Sequence, residues 1–177
     1  MYYSIELLFD DSSQEIIRNL WSGLSDAGIN DFMNLSNADP HISLVILDTD
    51  EINNVIRIAE DYFSTVKQFE ITFDSAGSFP GDEGVVYISP VITEHLLGVH
   101  KGLLEKLSQY SQNIWGYYRV GKWSPHCTIA LKIEKKKMPH AFEFVRENFT
   151  PFTAAVTGME IVTLPECEVL KMMELNP

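Results

Sequence analysis

Pro-His-x-(Ser/Thr)-apolar is written twice in this chain, as Pro40-His41-Ile42-Ser43-Leu44 and Pro125-His126-Cys127-Thr128-Ile129, with the two histidines 85 residues apart. Each copy opens an apolar segment, HISLVIL (41–47) and HCTIALKI (126–133), whose β-branched composition predicts a strand. Residues i and i+2 of a strand share a face. His41 therefore projects with Ser43 and His126 with Thr128, while Ile42, Leu44, Cys127 and Ile129 point the other way, into a core.

The surroundings of the two copies repeat in the same order. Residues 2–9 (YYSIELLF) read as a strand, and Ser12 with Glu15 reads as a capping box before Ile16, Ile17, Leu20, Trp21 and Leu24 at helical spacing. After the first motif strand, Asp48 and Thr49 open a helix bearing Ile52, Val55, Ile56, Ala59, Tyr62 and Phe63, followed by the strand FEITF (69–73) and a Gly/Pro turn at 77–84. The series then restarts with VVYISPV (85–91), a helix from Thr93 carrying Leu96, Val99, Leu103, Leu107 and Tyr110, the second motif strand, a helix over 137–149, and strands near 152–163 and 167–174. This pattern predicts an α+β fold: a bilobal, pseudo-twofold duplication of a βαβαβ unit, with two mainly antiparallel sheets facing a central cleft and the helices outside. It is expected to form one domain over residues 1–177, with internal repeats at roughly 1–76 and 84–177. Such a duplication brings one motif from each half to a common cleft.

Two imidazoles and two hydroxyls in one cleft suit phosphodiester chemistry. A neutral histidine accepts a proton from the attacking oxygen and a protonated one supplies the leaving oxygen, both within reach of the ordinary histidine pKa. Ser43 and Thr128 donate to the phosphoryl oxygens as charge builds on them. Net charge bears on the partner. Residues 1–100 hold three basic against seventeen acidic side chains, whereas 101–177 hold ten against eight. An acidic half of that size disfavours long polyanions and leaves a small nucleotide or an RNA end. No apolar run reaches ~18 residues, so no membrane span is expected. The N-terminus lacks a secretory pattern, which makes the cytoplasm the expected location. Cys127 and Cys167 stand alone and read as packed thiols; no HExxH or His-x-His is present, so neither a metal nor another cofactor is expected.

The paired motifs, their separation and the repeated plan resemble the 2H (two-histidine) phosphoesterase superfamily, which includes 2′-5′ RNA ligase-like proteins and cyclic nucleotide phosphodiesterases; the resemblance spans the whole chain. It implies metal-independent hydrolysis or ligation at 2′-linked or 2′,3′-cyclic phosphates of nucleotides or RNA ends, and so a place in RNA processing. It also implies His41 and His126 as the acid–base pair, with Ser43 and Thr128 as phosphate binders. Ser43 stands where the family more often has Thr. The segment IWGYYRVGKW (114–123) adds Trp115, Tyr117, Tyr118, Arg119, Lys122 and Trp123 just before the second motif. Of these, Tyr118, Arg119, Lys122 and Trp123 are candidates for stacking a base or contacting phosphate. His95, His100 and His140 are expected to pack or face solvent on helices, and Lys135, Lys136 and Lys137 to form a solvated face. A non-catalytic binder of nucleotides or RNA ends, and a ligase, remain the alternative readings.

Overall fold

Strand β1 (Tyr2–Phe9) is buried from Tyr3 to Phe9, more completely than a half-exposed strand would be. The reason is its place inside a sheet. The computed structural model, which describes residues 1–177, is α+β as expected. After β1 come α1 (Asp11–Asp26), β2 (His41–Asp48), α2 (Ile52–Phe63), β3 (Phe69–Gly77), β4 (Gly84–Pro90), α3 (Glu94–Lys106), β5 (Cys127–Ile133), α4 (Met138–Asn148), β6 (Phe152–Leu164) and β7 (Val169–Glu174). The strands run in the order β2-β1-β6-β3-β4-β5, with β7 also on β6, and every pairing is antiparallel.

The two expected sheets are the two wings of this single sheet. The long strand β6 joins them: its residues Phe152–Val156 pair with β3, and Val156–Leu164 pair with β1. Helix α1 lies against β5 and α4, whereas α2 lies against α3. Helix α1 of the first half thus lies on the wing built around the second motif strand. Glycines permit both helix contacts: a Cβ on Gly23 would collide with the Phe144 ring of α4, and one on Gly102 with Tyr62 of α2. Beneath the helices, 38 buried residues form one apolar cluster. It includes Ile42, Leu44, Cys127 and Ile129 from the core faces of the motif strands. Each large side chain buried in this way stabilises the fold by about 1.5–3 kcal/mol, which makes the orientation of the opposite, polar face costly to change.

Local details depart from expectation at helix starts. Asp10, rather than Ser12, caps α1 by accepting from the Ser13 N–H. A carboxylate has more acceptor sites than a hydroxyl, and Asp10 uses them on Ser12, Ser13 and the Ala155 N–H. Burial alone would raise its pKa, but these bonds bring it down to about 2. Helix α3 ends at Lys106, and Tyr110 belongs to a short 3₁₀ turn. No helix is long and apolar enough to cross a membrane.

Candidate active site

Strands β2 and β5 are the two edges of the sheet, yet the sheet curves until they lie against each other. Within β2, His41 and Ser43 are half-buried while Ile42 and Leu44 are fully buried; in β5, Thr128 is half-buried between the buried Cys127 and Ile129. The period-2 reading holds through the two motifs, and burial becomes continuous beyond them at Val45 and Ala130. The Cys127 side chain lies beside the His41 backbone, and burial pushes its thiol up to about 12. This is a packed, inert thiol.

The two histidines are held alike. Nδ1 of His41 lies 2.7 Å from the Asp39 carbonyl, and Nδ1 of His126 lies 2.8 Å from the Ser124 carbonyl. A carbonyl only accepts, so Nδ1 carries the proton in both rings and Nε2 is left without a partner. In both cases the carbonyl belongs to the residue before the proline. The fixed φ of Pro40 and Pro125 sets the angle between that carbonyl and the ring, which accounts for proline in the motif.

Indoles close the exposed edges. Trp21 Nε1 of α1 donates to the Thr128 carbonyl, and Trp123 Nε1 to the Ser43 carbonyl, each at 3.0 Å. Trp123 in turn stacks on His100 of α3 at 4.1 Å between ring centroids, and His100 Nε2 bonds the Tyr118 carbonyl. Burial lowers the His100 pKa, the carbonyl bond opposing it. His100 is thus a neutral strut under the 114–123 segment, a role its helical position did not disclose. Trp123→Phe keeps a ring on His100 but removes the N–H that satisfies an edge carbonyl. It is expected to lower stability by about 1–3 kcal/mol in urea denaturation; an unchanged midpoint would contradict the indole's role.

A cleft of about 540 Å³ opens beside His126 and Thr128. Trp115, Tyr117, Tyr118, Lys122 and Trp123 line one side, and Phe79, Asp82 and Glu83 belong to the loop before β4. His41 and Ser43 are not among its lining residues; they adjoin it through Trp123, which donates to the Ser43 carbonyl, and through Tyr118, whose hydroxyl lies near Ser43. Burial, then the charge of Glu6, raises Tyr118 to about 12, so it stays a neutral phenol. Arg119 is exposed and turns to the Ser111 carbonyl, outside the cleft. His95 packs edge-on against Phe69, His140 is exposed, and Lys136 and Lys137 engage Glu134 and the Gly28 carbonyl.

The two histidine environments differ. The rings of Phe79 and Tyr87 lie 4.8 and 5.2 Å from His126. Burial lowers its pKa, the Ser124 bond opposes this, and the nearby charge of His41 lowers it further. His41 instead has the Glu6 carboxylate 3.2 Å from Nδ1, with the Glu6 side chain only 3% exposed. Glu6 and Glu160 both sit within apolar runs, YYSIELLF and AAVTGMEIVTL. A lone acid inside such a run was the signal available in the sequence, and it was not read as part of the site.

The chain matches the model of the 2′-5′ RNA ligase superfamily over residues 9–165. No curated protein matches it in sequence. Among solved structures it is similar in fold to TT0787 of Thermus thermophilus (TM-score 0.67, 16% identity, covering 99% of this chain and 98% of that one). It is also similar to Escherichia coli LigT complexed with 3′-AMP (0.61, 13%, 99% and 98%) and to Usb1 of Kluyveromyces marxianus (0.53, 10%, 99% and 98%).

Proposed function

The chain belongs to the 2′-5′ RNA ligase superfamily, and from that premise we propose that it is a metal-independent phosphoesterase acting on 2′,3′-cyclic phosphates of small nucleotides or RNA ends. The observation that carries this reading is the matched pair of histidines on two touching edge strands, each with Nδ1 bound to a carbonyl and Nε2 unbound. His126, whose pKa is depressed by burial, is neutral near pH 7 and serves as the base. His41, with a carboxylate against its ring, serves as the acid. Water attacks phosphorus and gives its proton to His126 Nε2. The bond from phosphorus to one ribose oxygen breaks, and that oxygen takes the proton from His41 Nε2. The product is a phosphomonoester, and exchange with solvent restores both rings. Ser43 and Thr128 share strand faces with the histidines and donate to the non-bridging oxygens, Ser43 by turning its single O–H from Glu6 to the phosphate.

The cleft's aromatic side suits one stacked base, and Lys122 suits a phosphate. Asp82 and Glu83 in the same cleft disfavour a continuing polyanion. A LigT structure with 3′-AMP supports a nucleotide as the ligand type. The test is kcat/KM for a 2′,3′-cyclic mononucleotide and for a long single-stranded RNA, measured at several salt concentrations with chelator present. Turnover of the mononucleotide is expected to survive chelation with a shallow salt dependence, since each phosphate neutralised in a single strand adds about 0.7 to the log–log slope. Binding without turnover, loss of activity in chelator, or a steep slope with preference for long RNA would each count against the proposal.

A further inference from the structure

We propose that Glu6 is the positioning residue of His41, and that it acts with Glu160 as a buried pair of carboxyls sharing one proton. The proposal rests on the two-histidine reading above and adds to it the device that makes the two histidines unequal. Glu6 stands opposite Ser43 of β2 on one side and opposite Glu160 of β6 on the other. Directly opposed residues on one face hold their Cβ atoms about 4.5–5.5 Å apart, so the two carboxyls and the histidine strand form one row across the wing.

Both acids are out of water, Glu6 at 2% and Glu160 at 1% exposure. Glu6 has partners: His41 Nδ1 at 3.2 Å from Oε2, and the Ser43 hydroxyl, which donates to Oε1 at 3.4 Å. Glu160 Oε2 has none. Two ionised carboxylates side by side in such a site repel, and neither is hydrated. A proton on Glu160 resolves this. The neutral acid donates to Glu6, which remains the single carboxylate facing His41. Burial raises the Glu160 pKa to about 8, with Glu6 and Asp39 adding to it, which agrees with that proton count.

The other charged and titratable groups near His41 do not substitute for Glu6. Asp39 is paired with Arg18 of α1, the Cys127 thiol is neutral, and Tyr118 is a neutral phenol. Cys167 and Glu166 lie beyond Glu160, in the turn between β6 and β7, where burial and the carboxylates hold the Cys167 thiol up. His126 is the remaining titratable group and opposes positive charge on His41.

The second wing supplies an internal comparison. Tyr87 pairs with Thr128 as Glu6 pairs with Ser43. A fold with near-twofold placement of its histidines thus sets an acid beside one and a phenol ring beside the other.

The experiment is the pH dependence of kcat on a 2′,3′-cyclic mononucleotide for wild type and Glu6→Gln. The glutamine side chain keeps the size and a hydrogen-bond acceptor but loses the charge. The alkaline limb of the profile is expected to move to lower pH and kcat at neutrality to fall by about tenfold or more, a part of the 10²–10⁴ that proton transfer supplies. The acidic limb and KM are expected to stay in place. Unmoved limbs, or an equal loss at every pH, would make Glu6 a merely structural residue and overturn the proposal. If the Glu6→Gln variant does not fold, infrared titration of the wild type and Glu160→Gln decides. A protonated carboxyl band is expected at neutral pH in the wild type and missing from Glu160→Gln; no such band in the wild type overturns the shared proton. A wild-type rate in His41→Ala would instead sink the two-histidine reading beneath it.

Discussion

Replacing His41 or His126 by alanine is expected to lower kcat on a 2′,3′-cyclic nucleotide by about 10²–10⁴-fold. The double variant is expected to lose far less than the product of the two, because the two rings serve one transition state. The variants are also expected to separate by leaving group. On bis(p-nitrophenyl) phosphate the departing phenolate needs no proton, so His41→Ala loses much less there than on the cyclic nucleotide. His126→Ala loses comparably on both, since water must still be activated. The grounds are the unequal surroundings: rings of Phe79 and Tyr87 around His126, and a buried carboxylate against His41. Reversal of this leaving-group pattern would exchange the acid and base roles; wild-type rates in both single variants would remove the histidines from the chemistry altogether.

The second large effect is on stability. Glu160 titrates near 8 in the folded chain and near the ordinary 4.5 when unfolded, because burial penalises its charge. The folded state therefore holds this proton more tightly. The stability it confers is complete below about pH 4.5 and is lost as pH rises toward 8, by an amount on the order of a few kcal/mol. Glu160→Gln has no such loss. Relative to wild type, the variant is expected to gain stability progressively above about pH 5 and to be the more stable protein at pH 9, as read by urea denaturation. His126 contributes with the opposite sign in both proteins, since its lowered pKa makes stability fall as pH drops below its ordinary value. The difference between variant and wild type removes that common term. A difference that does not change with pH would mean that Glu160 is ionised in the folded chain.

The element plan was legible in the sequence because it is written locally. Alternation in HISLVIL and HCTIALKI, and apolar positions at helical spacing in the four helices, involve neighbours within a turn or two, and those segments folded as read except at the end of α3, which stops at Lys106. The motif was legible for the same reason: His and hydroxyl two apart in a strand share a face whatever surrounds them. Its repetition 85 residues on pointed to two equivalent places in one fold. What periodicity does not carry is which distant element arrives on the other side. β6 joining two wings into one sheet, α1 crossing to β5, and the indoles of Trp21 and Trp123 meeting the carbonyls of Thr128 and Ser43 all depend on contacts between residues 79 or more positions apart. Glu6 and Glu160 show the limit most clearly. Each alone is one acid in an apolar strand, and only their pairing across β1 and β6, at the end of a row beginning at the β2 motif, gives them a common charge to settle. The sequence determined that two histidines would be presented alike. Tertiary structure decided that they would not be equivalent, because the charge on a buried group depends on neighbours through space and not along the chain.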